Sequence, residues 1–133
     1  MKVYVFGNED DVVDKRAFTI QKKLRKEYSD VHFEQVKPNQ DLPFADEKNV
    51  YILDVVVGLK KPTLLDEKNI DNFTASPRSS VHDYDIGVQL KYLKKLGKIG
   101  RVFILGIPAE GTIDYDSIQS IFKKLVAQDI QGS

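Results

Sequence analysis

The sequence predicts a single α/β domain, residues 1–133, with a mostly parallel central sheet and helices on both of its faces. Short segments rich in Val, Ile and Tyr alternate with longer segments whose apolar residues recur at helical spacing. Apolar strands interleaved with amphipathic helices are typical of a parallel sheet that is covered on both faces. We therefore expect a three-layer sandwich with about five strands, one of them short and a candidate for antiparallel pairing.

The first half of the chain predicts three strands and one helix. The strands are expected at 3–6, 31–36 and 49–57. The second strand is half-polar, which favours a place near an edge of the sheet. From Val13 to Tyr28, apolar residues recur at helical spacing and basic residues fall elsewhere, which predicts an amphipathic helix.

The second half of the chain predicts two more strands and two helices. The strands are expected near 63–65 and at 101–105, with Gly106 closing the second of them. A helix is predicted to begin at Ser80 and to end at Gly97, after a long surface loop. The last helix is expected to begin at Asp114 or Thr112 and to bury an apolar face formed by Ile118, Ile121, Phe122 and Leu125.

The composition excludes several classes of protein. Twenty basic residues offset 20 acidic ones, which argues against a general nucleic-acid binder. The absence of cysteine excludes disulfides, Cys-ligated zinc, iron–sulfur clusters and thiol nucleophiles, and two histidines are too few for a His-rich metal site. Neither a Gly-x-Gly-x-x-Gly loop nor a Walker-type Gly-Lys-Ser/Thr is present, so no nucleotide or flavin is expected.

The apolar segments are too short for a membrane protein. The longest runs, in 51–57, fall far below the ~20 residues that span a bilayer. The first residues also lack the long apolar stretch and the cleavage site of a signal peptide. We therefore expect a cytoplasmic protein without a membrane partner, whose oligomeric state the sequence leaves open.

Candidate functional residues lie where the predicted strands end, because ligands of such sheets bind at the carboxyl ends of strands near a switch in strand order. Gly7 and Asn8 end the first strand, and Asp14 follows near the start of the first helix. Asp54 interrupts the apolar run of the third strand, and His82 opens the helix after the long loop. Two carboxylates and one imidazole form a donor set for a divalent metal such as nickel, zinc, manganese or iron(II).

Each of these residues also has a purely structural interpretation. Asp14 is suited to complement the positive N-terminus of the first helix. Asp54 is suited to cap a turn after its strand, and His82 is suited to a structural place at a helix start. From their spacing alone, the three residues leave both interpretations open.

The motifs at these positions resemble those of the hydrogenase maturation endopeptidases, which trim the C-terminal tail of a nickel-iron hydrogenase large subunit. The resemblance covers nearly the whole chain, with four blocks in the family's order. These blocks are Val3-Tyr4-Val5-Phe6-Gly7-Asn8 followed by Asp14, Val50-Tyr51-Ile52-Leu53-Asp54-Val55, Ser80-Val81-His82, and Phe103-Ile104-Leu105-Gly106 with Pro108 and Glu110.

The resemblance implies a metal-dependent endopeptidase whose partner is the precursor of a nickel-iron hydrogenase large subunit. The metal-contacting residues would be Asp14, Asp54 and His82, the metal would be a divalent ion such as nickel supplied by the substrate, and Gly7 and Asn8 would bind substrate. The chain departs from the family's pattern where Lys15-Arg16-Ala17-Phe18 replaces glycines after the acidic position. Two alternatives therefore stand: a non-catalytic metal-dependent binding module or chaperone of the same fold, and a small-molecule hydrolase or transferase.

Overall fold

The computed structural model describes residues 1–37, 47–66 and 100–132. The elements of these segments are β1 (Lys2–Phe6), α1 (Lys15–Glu27), β2 (His32–Val36), β3 (Asn49–Val56), β4 (Thr63–Asp66), β5 (Arg101–Pro108) and α2 (Tyr115–Gly132). The helix predicted from Ser80 to Gly97 and the long loop before it lie outside the described residues. Within the described segments, neither helix is long and apolar enough to cross a membrane.

The five strands form one sheet in the order β2-β1-β3-β5-β4. The pairs β1–β2, β1–β3 and β3–β5 are parallel, whereas β4 runs antiparallel to β5. The half-polar β2 lies at an edge, as its composition predicts, and the short β4 lies at the other edge. The predicted α/β fold with a mostly parallel sheet and one short antiparallel strand is confirmed.

The first face of the sheet is covered by both described helices. Alternate strand residues such as Val5 and Leu53 pack there against buried side chains of α1 and α2. The ring of Phe122 in α2 lies 4.9 Å from that of Tyr28 and 6.1 Å from that of Phe33. Aromatic pairs at such distances add packing energy beyond the burial of apolar area, so α2 and the end of α1 are joined to β2 through one ring cluster.

The second face of the sheet has its own apolar cluster. Tyr4, Phe6, Ile52 and Ile104 alternate with the residues of the first face and pack with Leu59 and Leu65. The helix predicted from Ser80 to Gly97 lies outside the described residues, so the structure does not test the expectation that a helix covers this face as well.

Two expectations about element ends are wrong. Gly106 does not close β5, because the strand continues to Pro108 with Gly106 paired to Asp54 and Thr63. A β-carbon at Gly106 would lie 2.7 Å from Leu59 Cδ1, so the glycine leaves room for packing. Val13 is 40% exposed and precedes α1, although its spacing predicts a place on the buried stripe.

At the amino ends of the parallel strands, which form the amino edge of the sheet, main-chain hydrogen bonds around Gly100 join the starts of β3 and β5. The N–H of Gly100 donates to the carbonyl oxygen of Glu47 at 3.0 Å, and the N–H of Arg101 donates to that of Lys48 at 2.9 Å. A β-carbon at Gly100 would overlap the Lys48 carbonyl oxygen. Glu47 Oε1 also accepts a 2.6 Å hydrogen bond from the hydroxyl of Tyr4; burial, followed by this contact, raises the pKa of Tyr4 above its ordinary value.

Candidate functional site

The carboxyl ends of β1 and β3 form the switch point of the sheet. From β1 the chain passes outward to β2 on one side and then returns to β3 on the other. Val5 pairs with Leu53 in the parallel β1–β3 ladder, so both strands reach the same edge. A crevice at such a point is where open α/β sheets bind ligands, and Gly7, Asn8 and Asp54 lie at this edge, as the sequence predicts.

Gly7 ends β1 in a conformation that favours glycine. Its φ is +130°, and its N–H donates to the Val36 carbonyl oxygen at 3.0 Å. A β-carbon there would lie 2.8 Å from Cγ of Asp14. The missing side chain of Gly7 therefore provides the space into which the Asp14 carboxylate packs.

The Asp14 carboxylate is directed to the end of β1 and does not cap the helix. Its Oδ2 accepts a hydrogen bond from the N–H of Asn8 at 3.0 Å, and no side-chain cap bond forms at the start of α1. The turn before α1 is held instead by Asp11 Oδ1, which accepts from the N–H groups of Val13 at 2.8 Å and Asp14 at 3.1 Å. Asp14 occupies the N-cap position without a side-chain cap bond, so its carboxylate still lies next to the positive N-terminus of α1, as the structural interpretation expects.

Asn8 is exposed beside this carboxylate. Its side-chain oxygen accepts a 2.9 Å hydrogen bond from the N–H of Asp10, which fixes the orientation of the carboxamide. Within the described part of the chain, the Asn8 amide nitrogen donates to no other group. The side chain therefore presents a hydrogen-bond donor at the carboxyl edge of the sheet.

Asp54 is the buried acidic residue of the sheet, with only 3% of its surface exposed. It alternates with Leu53 and Val55 of the first face and is therefore in phase with Ile52 and Val56 of the second. Its register partner in β5 is Gly106. Burial of a carboxylate is costly unless hydrogen-bond donors or a cation compensate its charge.

Sequence reasoning missed the part that Arg16 plays near this edge. Its Nη2 donates a 2.6 Å hydrogen bond to the carbonyl oxygen of Gly111, in the segment between β5 and α2. This bond joins the first turn of α1, next to Asp14, to the loop after β5. A basic residue in the first turn of a helix is ordinarily unfavourable. The presence of Arg16 there was the feature of the sequence that could have indicated a specific partner.

The structure places the Asp14 carboxylate beside the end of β1 and Asp54 in the adjacent strand β3, but it does not test the third predicted ligand. His82 lies outside the described residues, together with Ser80 and Val81. Among residues 1–37, 47–66 and 100–132, no group of three His, Cys, Asp or Glu side chains forms a metal site. The set of Asp14, Asp54 and His82 therefore remains a prediction.

Comparison with known proteins identifies the fold. No family model matches the sequence, and no curated protein matches it. The structure is similar to that of the hydrogenase maturating endopeptidase HybD from E. coli, with a TM-score of 0.66 and 17% identity over 100% of this chain and 94% of that one. It is also similar to the solution structure of an endopeptidase from Escherichia coli, with a TM-score of 0.57 and 18% identity over 96% and 89% of the two chains. The chain thus has the fold of these two endopeptidases.

Proposed function

We propose that the protein is a maturation endopeptidase that removes the C-terminal tail of a nickel-loaded precursor of a nickel-iron hydrogenase large subunit. The observation that supports this most strongly is the Asp14 carboxylate, held against the end of β1 and one strand from buried Asp54 at the switch point. The likeness in fold to a hydrogenase maturating endopeptidase supports the same class of substrate.

Asp14, Asp54 and His82 are the proposed ligands of the nickel that the precursor carries. Carboxylate and imidazole donors suit a divalent ion of this kind. Asp14 also has the orientation that a ligand needs, because the Asn8 N–H holds Oδ2 while Oδ1 makes no hydrogen bond within the described segments. Such outer contacts fix the direction of a coordinating carboxylate.

Ligands from three separate segments would make cleavage depend on metal loading. A precursor without nickel would lack the group that these side chains recognise, so its tail would not be positioned at the crevice. When bound, a divalent ion supplies Lewis acidity for polarising a carbonyl or activating water. Asn8 would contribute its free amide donor to a carbonyl oxygen of the substrate main chain.

Cleavage of a defined precursor tests this function. Purified protein is mixed with a large-subunit precursor, either nickel-loaded or nickel-free, and the loss of the tail is followed by intact mass. We expect tail loss only from the loaded precursor, at a rate reduced ~100-fold or more by Asp14→Asn and by Asp54→Asn. Asp30→Asn is the matched control, because Asp30 is exposed in the turn after α1.

Two results would contradict the proposal. Failure to shorten a correctly loaded precursor would reject peptidase activity. Equal rates for Asp14→Asn, Asp54→Asn and Asp30→Asn would remove the proposed site. Metal-dependent association with the precursor without cleavage would instead favour the binding module or chaperone of the same fold.

A further inference from the structure

A cavity of about 260 Å³ lies between α1 and the side of the sheet formed by β1 and β2. Its walls combine apolar side chains of the core with polar ones, namely Val5, Phe18 and Phe33 with Glu9, Gln21, Lys22, Arg25 and Gln35. The cavity belongs to the first face of the sheet, whereas Asp54 is in phase with the second. Neither Asp14 nor Asp54 lines the cavity, so it is distinct from the two described residues of the proposed metal site.

The α1 residues of this cavity share one helix face. Gln21 and Lys22 each lie three or four residues from both Phe18 and Arg25, which places the four residues on one side of the helix. They are directed towards β2, the half-polar edge strand. The arrangement gives the cavity apolar walls near the strands and a polar rim on the helix.

Gln21 is the unusual residue of this wall. Its surface is only 8% exposed, yet its carboxamide makes no hydrogen bond within the described part of the chain. The amide atoms of Gln21 are not among the enclosed polar atoms that lack a partner, so the carboxamide is open to the cavity and to solvent there. A ligand in the cavity would replace that solvent as the hydrogen-bond partner.

The charges around the cavity favour an anion. Lys22 Nζ lies 3.9 Å from Glu9 Oε1, so these two charges compensate each other. Arg25 also lines the cavity and forms no ion pair with any described residue. A guanidinium presents several donors in a planar fork that matches a carboxylate.

The size of the cavity limits the ligand. A volume of 260 Å³ is below the range of pockets for drug-sized ligands, which begins at roughly 300 Å³. A nucleotide is too large, whereas a short aliphatic acid or a single acidic side chain fits.

We infer that this cavity binds a small organic carboxylate. The carboxylate accepts hydrogen bonds from Arg25 and Gln21, and its aliphatic part packs against Phe18 and Phe33. The carboxylate comes either from a free short-chain acid or from an acidic side chain of a peptide. The inference is independent of the proposed peptidase activity.

A hydrogen bond from one lining residue links the cavity to the end of β1. Gln35 lines it and donates a 3.3 Å hydrogen bond from Nε2 to the Gly7 carbonyl oxygen. The Asn8 N–H belongs to the same peptide group as that oxygen. Occupation of the cavity is therefore expected to change the amide signal of Asn8 as well as the side-chain amide signals of Gln21 and Gln35.

Titrations of ¹⁵N-labelled protein, followed by two-dimensional NMR, test this inference. One arm uses butyrate, and a second uses the peptide Gly-Gly-Glu-Gly-Gly capped at both ends, which separates a free acid from a peptide side chain. The control ligand is n-butylamine, which has the same carbon chain and the opposite charge. We expect saturable shifts of the Gln21, Gln35 and Asn8 signals with at least one carboxylate and none with the amine.

Variants assign the binding to this cavity. Arg25→Gln is expected to weaken carboxylate binding about 10-fold, because it removes a charged donor. Lys26→Gln is the matched control: it removes the same charge from the next residue of α1, which does not line the cavity, and should change affinity less than twofold. Gln21→Leu replaces the carboxamide by an apolar side chain of similar size and should also weaken binding. Shifts that are equal for butyrate and butylamine, or equal affinities of Arg25→Gln and Lys26→Gln, would overturn the inference.

Discussion

The amino and carboxyl ends of the parallel strands, here the amino edge and the carboxyl edge, each have a glycine whose missing side chain leaves space for another group. The groups that occupy the two spaces differ. At the amino edge, the Lys48 carbonyl oxygen packs against Gly100. At the carboxyl edge, the Asp14 carboxylate packs against Gly7. The first group is neutral and belongs to the main chain, whereas the second is a charged side chain.

This difference separates a structural contact from one that belongs to the proposed site. The Gly100 contact is part of a hydrogen-bonded closure that joins the starts of β3 and β5. The Gly7 contact instead holds a half-buried carboxylate whose Oδ2 receives one main-chain hydrogen bond. The amino edge therefore serves stability, whereas the carboxyl edge holds the carboxylate that the proposed function assigns to metal binding.

The largest effect on stability is expected from Gly100→Ala. The added β-carbon meets a carbonyl group of the main chain, which cannot rotate away as a side chain can. We expect a loss of about 3 kcal/mol in the free energy of unfolding, measured by urea denaturation. Ligand binding by the protein that remains folded should be unchanged. A loss of unfolding free energy smaller than that caused by Gly7→Ala would contradict this assignment of roles.

Gly7→Ala is expected to have a smaller effect on stability and a larger one on the site. The left-handed φ and the contact with Asp14 together should cost about 2 kcal/mol. Gly58→Ala is the matched control, because Gly58 has a φ of +97° and no atom within 4 Å of an added β-carbon. Nickel titration should show weaker binding for Gly7→Ala alone, and equal loss in both variants would refute a specific link to Asp14.

Asp11→Ala should cost about 1 kcal/mol, because two N–H groups of the turn before α1 lose their acceptor. The change should also loosen the placement of Asp14, which follows this turn. Thermal unfolding measures the first effect, and nickel titration measures the second. Unaltered nickel affinity would mean that Gly7 and Asn8 alone determine the position of the Asp14 carboxylate.

The smallest effect concerns Asp114 at the start of α2, remote from both glycines. Hydrogen bonds from the Ser117 hydroxyl and N–H hold the pKa of Asp114 below its ordinary value. Since the folded pKa is depressed, this stabilisation is present above the ordinary pKa and is lost as pH falls through the folded value. Asp114→Asn should therefore flatten the acid limb of unfolding curves slightly; an unchanged acid limb would contradict this role.

The main strands and the acidic residues of the carboxyl edge could be predicted because their signals are local. The apolar run of β3 identifies the strand and makes Asp54 conspicuous within it. The half-polar β2 indicates an edge, and Asp114 is confirmed as the cap of α2. The contact between Gly7 and Asp14 depends on a turn that residue spacing does not specify.

Other features could not be predicted because they arise from packing between distant segments. Gly106 resembles a strand terminator in sequence, but Leu59 occupies the space beside it and the strand continues. The cavity beside Gln21 combines one helix with two strands, and no linear motif records it.

The most direct test of the account is a calorimetric titration with nickel. Asp14→Asn, Asp54→Asn and His82→Ala are each compared with the unaltered protein and with Asp30→Asn. We predict that the unaltered protein and Asp30→Asn bind nickel with equal affinity and that each of the other variants binds ~100-fold more weakly or not at all. Equal affinity in all five proteins would contradict a shared metal site at the carboxyl edge.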